Sequence, residues 1–260
     1  MASTTDMMGV LVDRFAAQHI VVTGAGSGIG RATALRLASE GAAVACVDLV
    51  ESSLADTAKL LADAGGSGSS HVCDVSDHEQ VSAVVKHIRA AGGAIHALVN
   101  VAGIGNLAHS ADQPASEWLR IINVNLSGTF FMCQAVLPDL LACRGRIVNM
   151  ASVAGLIGQP YNAAYCASKG GVIALTKSLA VEYVDKGVLV NAIAPAGIQT
   201  PLVTDVAIPD GVDFSKFARL SSPLGMAEPA EVAALVAYLL SEDSRYMTGS
   251  IVTMDGGVSV

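Results

Sequence analysis

The chain has 260 residues, of which 52% are hydrophobic and 15% are charged; this composition argues against disorder and allows a large core. The formal net charge of -8 at pH 7 offers no basic surface for a phosphate backbone, which disfavours nucleic acid and anionic membranes as partners. We expect no signal peptide, because the first residues have neither a basic start nor an apolar core, and we expect no membrane-spanning segment. The five cysteines include no Cys-x-x-Cys pair, so we expect no disulfide, no metal site and a cytoplasmic location.

Apolar strands alternate with helical segments along the chain. The predicted strands cover 19–23, 41–48, 71–74, 95–100, 146–150, 188–193 and 250–254, and the predicted helices cover 31–39, 53–64, 81–91, 114–141, 163–184 and 229–240. We expect a flexible turn over 65–70, and Gly128 or Pro138 should bend or end the helix that contains them. Because the strands are apolar without polar alternation, they predict a parallel sheet covered on both faces. The expected fold class is α/β, with a single domain over 1–260 built on a doubly wound, Rossmann-like sheet.

A glycine-rich turn follows the first strand. Thr23, Gly24, Gly28 and Gly30 stand in the pattern T-G-x-x-x-G-x-G. The backbone N–H groups of such a turn, together with the N-terminus of the helix that follows, can hold a pyrophosphate. The alternative is a strand–helix turn without a ligand.

Acidic and amide residues follow the next three strands. Asp48 ends the second strand, where a carboxylate can bind a ribose 2′-OH and repel a 2′-phosphate, which favours NAD over NADP. An ordinary turn-forming role is the alternative for Asp48. Asp74 is placed to accept from an adenine amino group, and Asn100 and Gly103 are expected to line the next crevice.

Tyr165 and Lys169 are four residues apart in a predicted helix, so their side chains project from one face. The pKa of a phenol is about 10, and a nearby ammonium lowers it. Tyr165 is therefore a candidate general acid or base. The same spacing also occurs on solvated helix faces, so the assignment depends on the rest of the chain.

Together these motifs resemble those of the classical short-chain dehydrogenases/reductases over nearly the whole chain. The matching parts are 23–30, Asp74, 100–103, 125–128, Ser152, Tyr165, Lys169, 195–200 and 255–257. The resemblance implies a catalytic set of Asn125, Ser152, Tyr165 and Lys169. In such enzymes the Tyr transfers the proton at the substrate oxygen and the Ser holds that oxygen. The Lys lowers the pKa of the Tyr and binds the nicotinamide ribose, and the Asn keeps a water behind the Lys.

The resemblance also implies a set of cofactor contacts. The expected residues are Gly24, Ser27, Gly28, Ile29, Gly30, Asp48, Asp74, Val75, Asn100, Ala102, Gly103, Tyr165, Lys169, Pro195, Ile198 and Thr200. Two positions depart from the family pattern, because Val101 replaces a usual Asn and Ala196 replaces a usual Gly. Relatives are often homotetramers, so we expect a homotetramer here.

A long irregular segment over 195–225 precedes the last predicted helix. Its central part carries Leu202, Val203, Val206, Ile208, Phe214, Phe217 and Leu220. We expect the stretch 201–222 to close an apolar wall over a hydrophobic alcohol or ketone. Packing against the domain and a contact between subunits are the alternatives. Gln159, Tyr161 and Asn162 are further candidates for substrate contact.

These inferences predict an NAD-dependent oxidoreductase that interconverts a secondary alcohol and a ketone. An NADPH-dependent 3-oxoacyl-thioester reductase is the alternative within the family, and Asp48 argues against it. A dinucleotide-binding sensor without turnover is the alternative from another class. That alternative is disfavoured because a pure binder has no need of Asn125, Ser152, Tyr165 and Lys169. The chain carries no motif of a serine hydrolase, a nucleoside-triphosphatase or a zinc protease.

Overall fold

The computed structural model describes residues 13–260, so the start of the predicted domain lies outside the described residues. The strands are β1 (His19–Thr23), β2 (Ala43–Asp48), β3 (Ser67–Val72), β4 (Ala97–Asn100), β5 (Arg146–Met150), β6 (Leu189–Pro195) and β7 (Ile251–Met254). The helices are α1 (Gly28–Ser39), α2 (Glu51–Asp63), α3 (His78–Gly92), α4 (Ala115–Ile122), α5 (Gly128–Cys143), α6 (Ala163–Tyr183), α7 (Pro201–Thr204) and α8 (Pro229–Leu240).

The seven strands form one sheet in the order β3-β2-β1-β4-β5-β6-β7. Every neighbouring pair is parallel. From β1 the sheet extends to one side through β2 and β3 and to the other side through β4 to β7, so the strand order reverses between β1 and β4. Sheets of this kind bind ligands in the crevice outside the carboxyl ends of the strands at such a reversal. The predicted doubly wound parallel sheet is confirmed.

Each face of the sheet carries its own hydrophobic layer, because side chains alternate along a strand. Ile20 and Val22 of β1 pack on one face with Leu37 of α1 and Val236 of α8. Val21, between them, packs on the other face with side chains of α3 and α5. The helices thus cover both faces and leave the carboxyl edge of the sheet accessible.

The third strand differs from its prediction. β3 begins at Ser67, inside the stretch 65–70 that is expected to be a turn, and it ends at Val72. Ser67 pairs with Ala43 of β2, and the parallel register continues to the end of the strand. Since β3 is an exposed edge strand, polar residues cost it little, and backbone pairing with β2 outweighs the weak strand preference of Ser and Gly.

The predicted long helix over 114–141 is interrupted, but not where its glycine and proline suggest. A π-helical turn over Asn123–Ser127 joins α4 to α5, whereas Gly128 begins α5 and Pro138 lies inside it. A π-turn inserts one extra residue into the helical ladder and often marks a functional position. It changes the direction of the side chains at Asn125, the residue expected in the catalytic set.

The helical run Ala115–Cys143 is long and apolar enough to cross a membrane by length and composition alone. Within it, Met132, Val136 and Leu140 of α5 are fully buried in the layer that α5 forms with α3 and the sheet. The same helix is held by an ion pair of 2.6 Å between Asp139 and Arg89 of α3. These contacts make α5 a core helix of the fold.

Candidate active site

The turn between β1 and α1 has the geometry of an anion cradle. Gly24 and Gly28 adopt positive φ angles of 65° and 48°, which side chains disfavour. A Cβ atom on Gly30 would lie 2.0 Å from the carbonyl oxygen of Gly24, so only glycine lets α1 start this close to the turn. Ser27 precedes α1 without capping it by its side chain. The first N–H groups of α1 are therefore available to a phosphate.

Thr23 ties this turn to the chain segment after β4. Its Oγ1 accepts hydrogen bonds from the backbone N–H groups of Val101, at 3.0 Å, and Ala102, at 3.1 Å. A Cβ on Gly24 would stand 2.8 Å from the nitrogen of Ala102. The two segments thus touch through their backbones, which explains the T-G pair at the start of the motif.

Asp48 lies at the end of β2, beside the glycine turn. Its Oδ2 accepts from the N–H of Gly26 at 2.9 Å, and its Oδ1 accepts from the N–H of Val50 at 3.0 Å. The carboxylate thus also fills the turn-forming role that the sequence leaves open. Each of its oxygens keeps a further lone pair, and the residue lines the cleft described next.

A cleft of about 440 Å³ runs along the carboxyl edge of the sheet. It is lined by most of the expected cofactor contacts: Gly24, Ser27, Gly28, Ile29, Asp48, Asp74, Val75, Ala102, Gly103, Tyr165, Lys169, Pro195, Ile198 and Thr200. Sequence reasoning missed other lining residues, including Leu49, Val50, Met150, Ala151, Leu202 and Val203. Leu49 and Val50 could have been found from their position directly after Asp48.

Two expected contacts do not line the cleft. Gly30 is packed against the backbone of Gly24 and acts through the shape of the turn. Asn100 is only 4% exposed, and its Nδ2 donates to Asn149 Oδ1 of β5 at 2.9 Å and to Cys133 Sγ at 3.3 Å. Its side chain points to the same face as Leu98, two residues earlier in β4, because strand side chains alternate. Asn100 thus braces β4 against β5 and α5.

Asn125 occupies the middle of the π-turn and is fully buried. Its Nδ2 donates to the carbonyl of Ile104 at 2.9 Å and to Ser168 Oγ at 3.0 Å, and its Oδ1 accepts from the N–H of Ile104 at 2.8 Å. Gly103 lies between Asn125 and Lys169, since a Cβ there would be 3.3 Å from Asn125 Oδ1 and 3.4 Å from Lys169 Nζ. Asn125 therefore fixes the backbone that faces Lys169.

Helix α6 presents Tyr165 and Lys169 at the cleft. Lys169 is 3% exposed, and its Nζ donates to the carbonyl of Met150 at 2.7 Å and lies 5.6 Å from the centre of the Tyr165 ring. Burial lowers the pKa of Lys169 to about 8.

The pKa of Tyr165 departs from the prediction. Burial raises it to about 12, although a hydrogen bond with Ser152 acts in the opposite direction. The expected lowering by Lys169 is absent, because loss of hydration disfavours the phenolate more than its neighbours stabilise it. In the protein by itself, Tyr165 is therefore a proton donor at neutral pH.

Ser152 completes the cluster from the loop after β5. Its Oγ accepts from the N–H of Ala154 at 3.1 Å and so caps the short 3-10 helix Val153–Gly155. The same hydroxyl donates to the carbonyl of Pro195 at 3.5 Å and lies close enough to Tyr165 to act on its pKa. The carboxyl ends of β4 and β5, the π-turn and α6 thus bring the four expected catalytic residues into one region.

Comparison with known proteins gives this geometry a family. A family model described as Enoyl-(Acyl carrier protein) reductase matches residues 24–259. The chain is similar to a 3beta-hydroxysteroid dehydrogenase of Mediterraneibacter gnavus, with 38% identity over 96% of this chain and 97% of the relative. The chain belongs to the short-chain dehydrogenase/reductase family. It is accordingly an oxidoreductase that acts on CH–OH groups, and members of this family bind a nicotinamide dinucleotide.

Two further similarities agree with this assignment. A 3-oxoacyl-acyl-carrier-protein reductase of Thermotoga maritima is 38% identical over 92% of this chain and 97% of its own length. The crystal structure of a short-chain type dehydrogenase/reductase from Mycobacterium marinum matches with a TM-score of 0.87 and 33% identity, covering 94% of this chain and 96% of that one.

The dehydrogenase/reductase has a second cavity, of about 270 Å³, that adjoins Ser152 and Tyr165. The irregular segment after β6 forms one of its walls with Leu202, Val203, Val206, Phe217 and Leu220. Of the other apolar residues expected there, Phe214 is 63% exposed and Ile208 is also exposed. Gln159 and Asn162 line the cavity as well. The wall expected from the sequence therefore exists, but only part of the segment contributes to it.

Tyr161 holds this wall in place from behind. It adopts a φ of 59°, and its ring stacks on Phe217 with a centroid distance of 5.9 Å. Its Oη accepts from the N–H of Asp213 at 3.1 Å. His109 packs edge-on against the Tyr161 ring at 5.0 Å and hydrogen-bonds to the carbonyl of Asp210 at 2.9 Å. Three loops are thus fastened together over the cavity, with Tyr161 at their centre.

Proposed function

We propose that this dehydrogenase/reductase uses NAD to interconvert a secondary alcohol and a ketone. The observation that supports the proposal is the arrangement along the cleft: Asp48 lies beside the glycine turn, Lys169 lines the cleft, and Ser152 and Tyr165 lie where the cleft meets the apolar cavity. A carboxylate in the position of Asp48 accepts from a ribose 2′-OH and repels a 2′-phosphate.

The residues of the cleft fit a nicotinamide dinucleotide. The glycine turn and the uncapped N-terminus of α1 suit its pyrophosphate, and Lys169 is placed to bind a ribose hydroxyl. When bound, the dinucleotide supplies the hydride donor or acceptor. The chain itself must therefore orient the carbinol carbon and move one proton.

Tyr165 and Ser152 act on the substrate oxygen. In ketone reduction the phenol of Tyr165, with a pKa of about 12, is protonated at neutral pH and donates its proton. In alcohol oxidation Tyr165 must accept the proton instead, and an ammonium on Lys169 favours the phenolate. With a pKa of about 8, Lys169 is mostly charged at neutral pH. Ser152 holds the same oxygen through its hydroxyl and so orients the reacting carbon.

Steady-state assays of a secondary alcohol, once with NAD and once with NADP, test the proposal. We expect NAD-dependent oxidation of cyclohexanol or a 3β-hydroxysteroid, with little activity when NADP replaces NAD. Absence of turnover with any secondary alcohol, in the presence of measured NADH binding, would instead support a dinucleotide-binding sensor.

The similarity to a 3-oxoacyl-acyl-carrier-protein reductase keeps a second candidate function, the NADPH-dependent reduction of a 3-oxoacyl thioester. Acetoacetyl-CoA serves as its probe. Faster reduction of this thioester with NADPH than of any simple ketone with NADH would favour the second candidate. Asp48 at the ribose end argues against that result.

We further propose a cytoplasmic homotetramer. All five cysteines are free thiols, which suits a reducing compartment. Large apolar side chains remain exposed on the surface of one chain, among them Trp118, Leu119, Phe130 and Tyr246, and such residues are often covered in assemblies. Light scattering should give the mass of four chains of 26.4 kDa, and a monomer mass would contradict the tetramer.

A further inference from the structure

Three amide side chains line the cavity beside Tyr165, namely Asn106, Gln159 and Asn162. Asn162 Nδ2 donates to Gln159 Oε1 at 3.1 Å. This hydrogen bond satisfies the amide nitrogen of Asn162 and the amide oxygen of Gln159. Asn162 Oδ1 is buried and has no hydrogen-bond partner among the described residues. The other half of the Gln159 amide also makes no hydrogen bond within the described part of the chain. The amide pair is therefore incompletely satisfied.

The residues around Gln159 and Asn162 indicate what kind of substrate group would complete the hydrogen bonds of these two amides. The described lining is otherwise mostly apolar, with residues such as Leu107, Val153 and Phe217, and it includes no Asp, Glu, Lys or Arg. A wholly hydrophobic substrate would displace water from the amides and leave them unpaired, which costs free energy. An ionised substrate group would find no counter-charge among these lining residues.

We propose that Gln159 and Asn162 select substrates that carry a second, uncharged oxygen away from the reacting carbon. This inference rests on the proposed function and narrows it to hydroxy-ketones, diketones and the corresponding diols. A hydroxyl suits the pair best, because it both donates and accepts and so matches either orientation of an amide. Gln159 and Asn162 are thus specificity-determining residues, whereas Ser152 and Tyr165 hold the reacting oxygen.

The test uses a series of six-membered ring ketones reduced with NADH. The probes are cyclohexanone, 4-methylcyclohexanone, 3- and 4-hydroxycyclohexanone and 4-oxocyclohexanecarboxylate. We expect the better hydroxyketone to exceed the methyl ketone in kcat/KM by at least ~10-fold, since a site that hydrogen-bonds a hydroxyl rejects an analogue without one. The carboxylate should be the poorest substrate of the series.

Variants connect this preference to the amide pair. Gln159→Leu should abolish the preference for the hydroxyl, so that kcat/KM for the better hydroxyketone no longer exceeds that for 4-methylcyclohexanone. Gln134→Leu, on the exposed face of α5, is the matched control and should keep the wild-type preference. Gln159→Met, a second apolar substitution with a flexible side chain, should reproduce the loss if Gln159→Leu fails to fold.

The possible failures can be told apart. Equal kcat/KM for the hydroxy and methyl ketones, or a preference that survives both substitutions of Gln159, would overturn the inference while leaving alcohol–ketone turnover in place. A clear preference for the carboxylate would also overturn it. If the enzyme reduces none of the ketones with NADH but reduces acetoacetyl-CoA with NADPH, the proposed function fails, and the inference fails with it.

Discussion

Tyr165 and Lys169 carry pKa shifts of opposite sign from one cause. Burial disfavours the charged form of each side chain, so it raises the pKa of Tyr165 to about 12 and lowers that of Lys169 to about 8. Each shift favours the neutral form of its side chain, but with a pKa of about 8 Lys169 is still mostly charged at neutral pH. The spacing of the two residues predicts their proximity correctly, but it does not reveal the loss of hydration, which depends on the loops that cover the cleft.

Replacement of Tyr165 by Phe tests the proton-transfer role directly. The variant should bind NADH almost as well as the wild type, but turnover should fall by roughly 10²-fold or more because the proton donor is lost. Fluorescence titration and steady-state kinetics give the two quantities. Tyr183→Phe, near the C-terminal end of the same helix, is the matched control and should retain full activity. Wild-type turnover in the Tyr165 variant would exclude the mechanism.

Asp48→Asn tests whether Asp48 selects NAD over NADP through the ribose 2′ position. The amide keeps one acceptor oxygen and removes the charge, so the ratio of kcat/KM for NAD to that for NADP should fall by about 10-fold or more. Asp63→Asn, on the exposed end of α2 where Asp63 pairs with Lys59, should leave the ratio unchanged. An unaltered ratio in Asp48→Asn would place cofactor selection elsewhere in the cleft.

At the scale of elements, the positions of strands and helices could be predicted where apolar runs are strong. β5 and α8 match their predicted bounds. A third strand was predicted over 71–74, but the start of β3 at Ser67 could not be predicted, because its Ser and Gly residues pair only in the presence of β2. The π-turn at Asn125 was also missed, since Gly128 and Pro138 are the local signals that suggest a break, and neither causes it.

The wall of the second cavity is the element whose contribution to catalysis is most easily measured. Phe217 lines the cavity and stacks on Tyr161, whereas Phe214, three residues earlier, is 63% exposed. Phe217→Ala should therefore reduce kcat/KM by about 10-fold, through loss of apolar contact and of the closed loop position. Phe214→Ala, the matched control, should change it little. The same kcat/KM in both variants and in the wild type would show that this wall does not contribute to catalysis.

At the scale of the whole molecule, the sheet was predictable, whereas the cavity was predictable only in part: its apolar wall, Gln159 and Asn162 were expected, and Asn106 was not. The alternation of apolar strands and helices suffices for a doubly wound parallel sheet. The cavity is lined by loops that are distant in sequence, including Asn106, Gln159 and Phe217. Their approach depends on contacts such as that between the Tyr161 hydroxyl and the Asp213 backbone, which no local pattern encodes.

Two buried histidines in the amino-terminal half of the sheet, His19 and His71, should make the stability of the fold depend on pH. Burial lowers the pKa of His19 and of His71 below their ordinary 6.5. As pH falls below about 6.5, the unfolded chain therefore binds protons before the folded one does, and the free energy of unfolding decreases. Above that pH this contribution is constant. Carboxylates with lowered pKa values, such as Asp255, act in a separate window near pH 4 and below.

Thermal unfolding between pH 5 and pH 8 measures this effect. His71→Gln should flatten the decline in melting temperature on the acid side, because one buried titrating group is removed. His78→Gln, at an exposed position of α3, should keep the wild-type slope. The idea fails if melting temperature is independent of pH over this interval.

The most direct test of the proposed function is a pair of dissociation constants, for NADH and for NADPH, measured on the purified protein by nicotinamide fluorescence. Asp48 leads us to expect that NADH binds at least ~10-fold more tightly than NADPH. Tighter binding of NADPH would contradict the account, and 3-oxoacyl thioesters would then become the first substrates to examine.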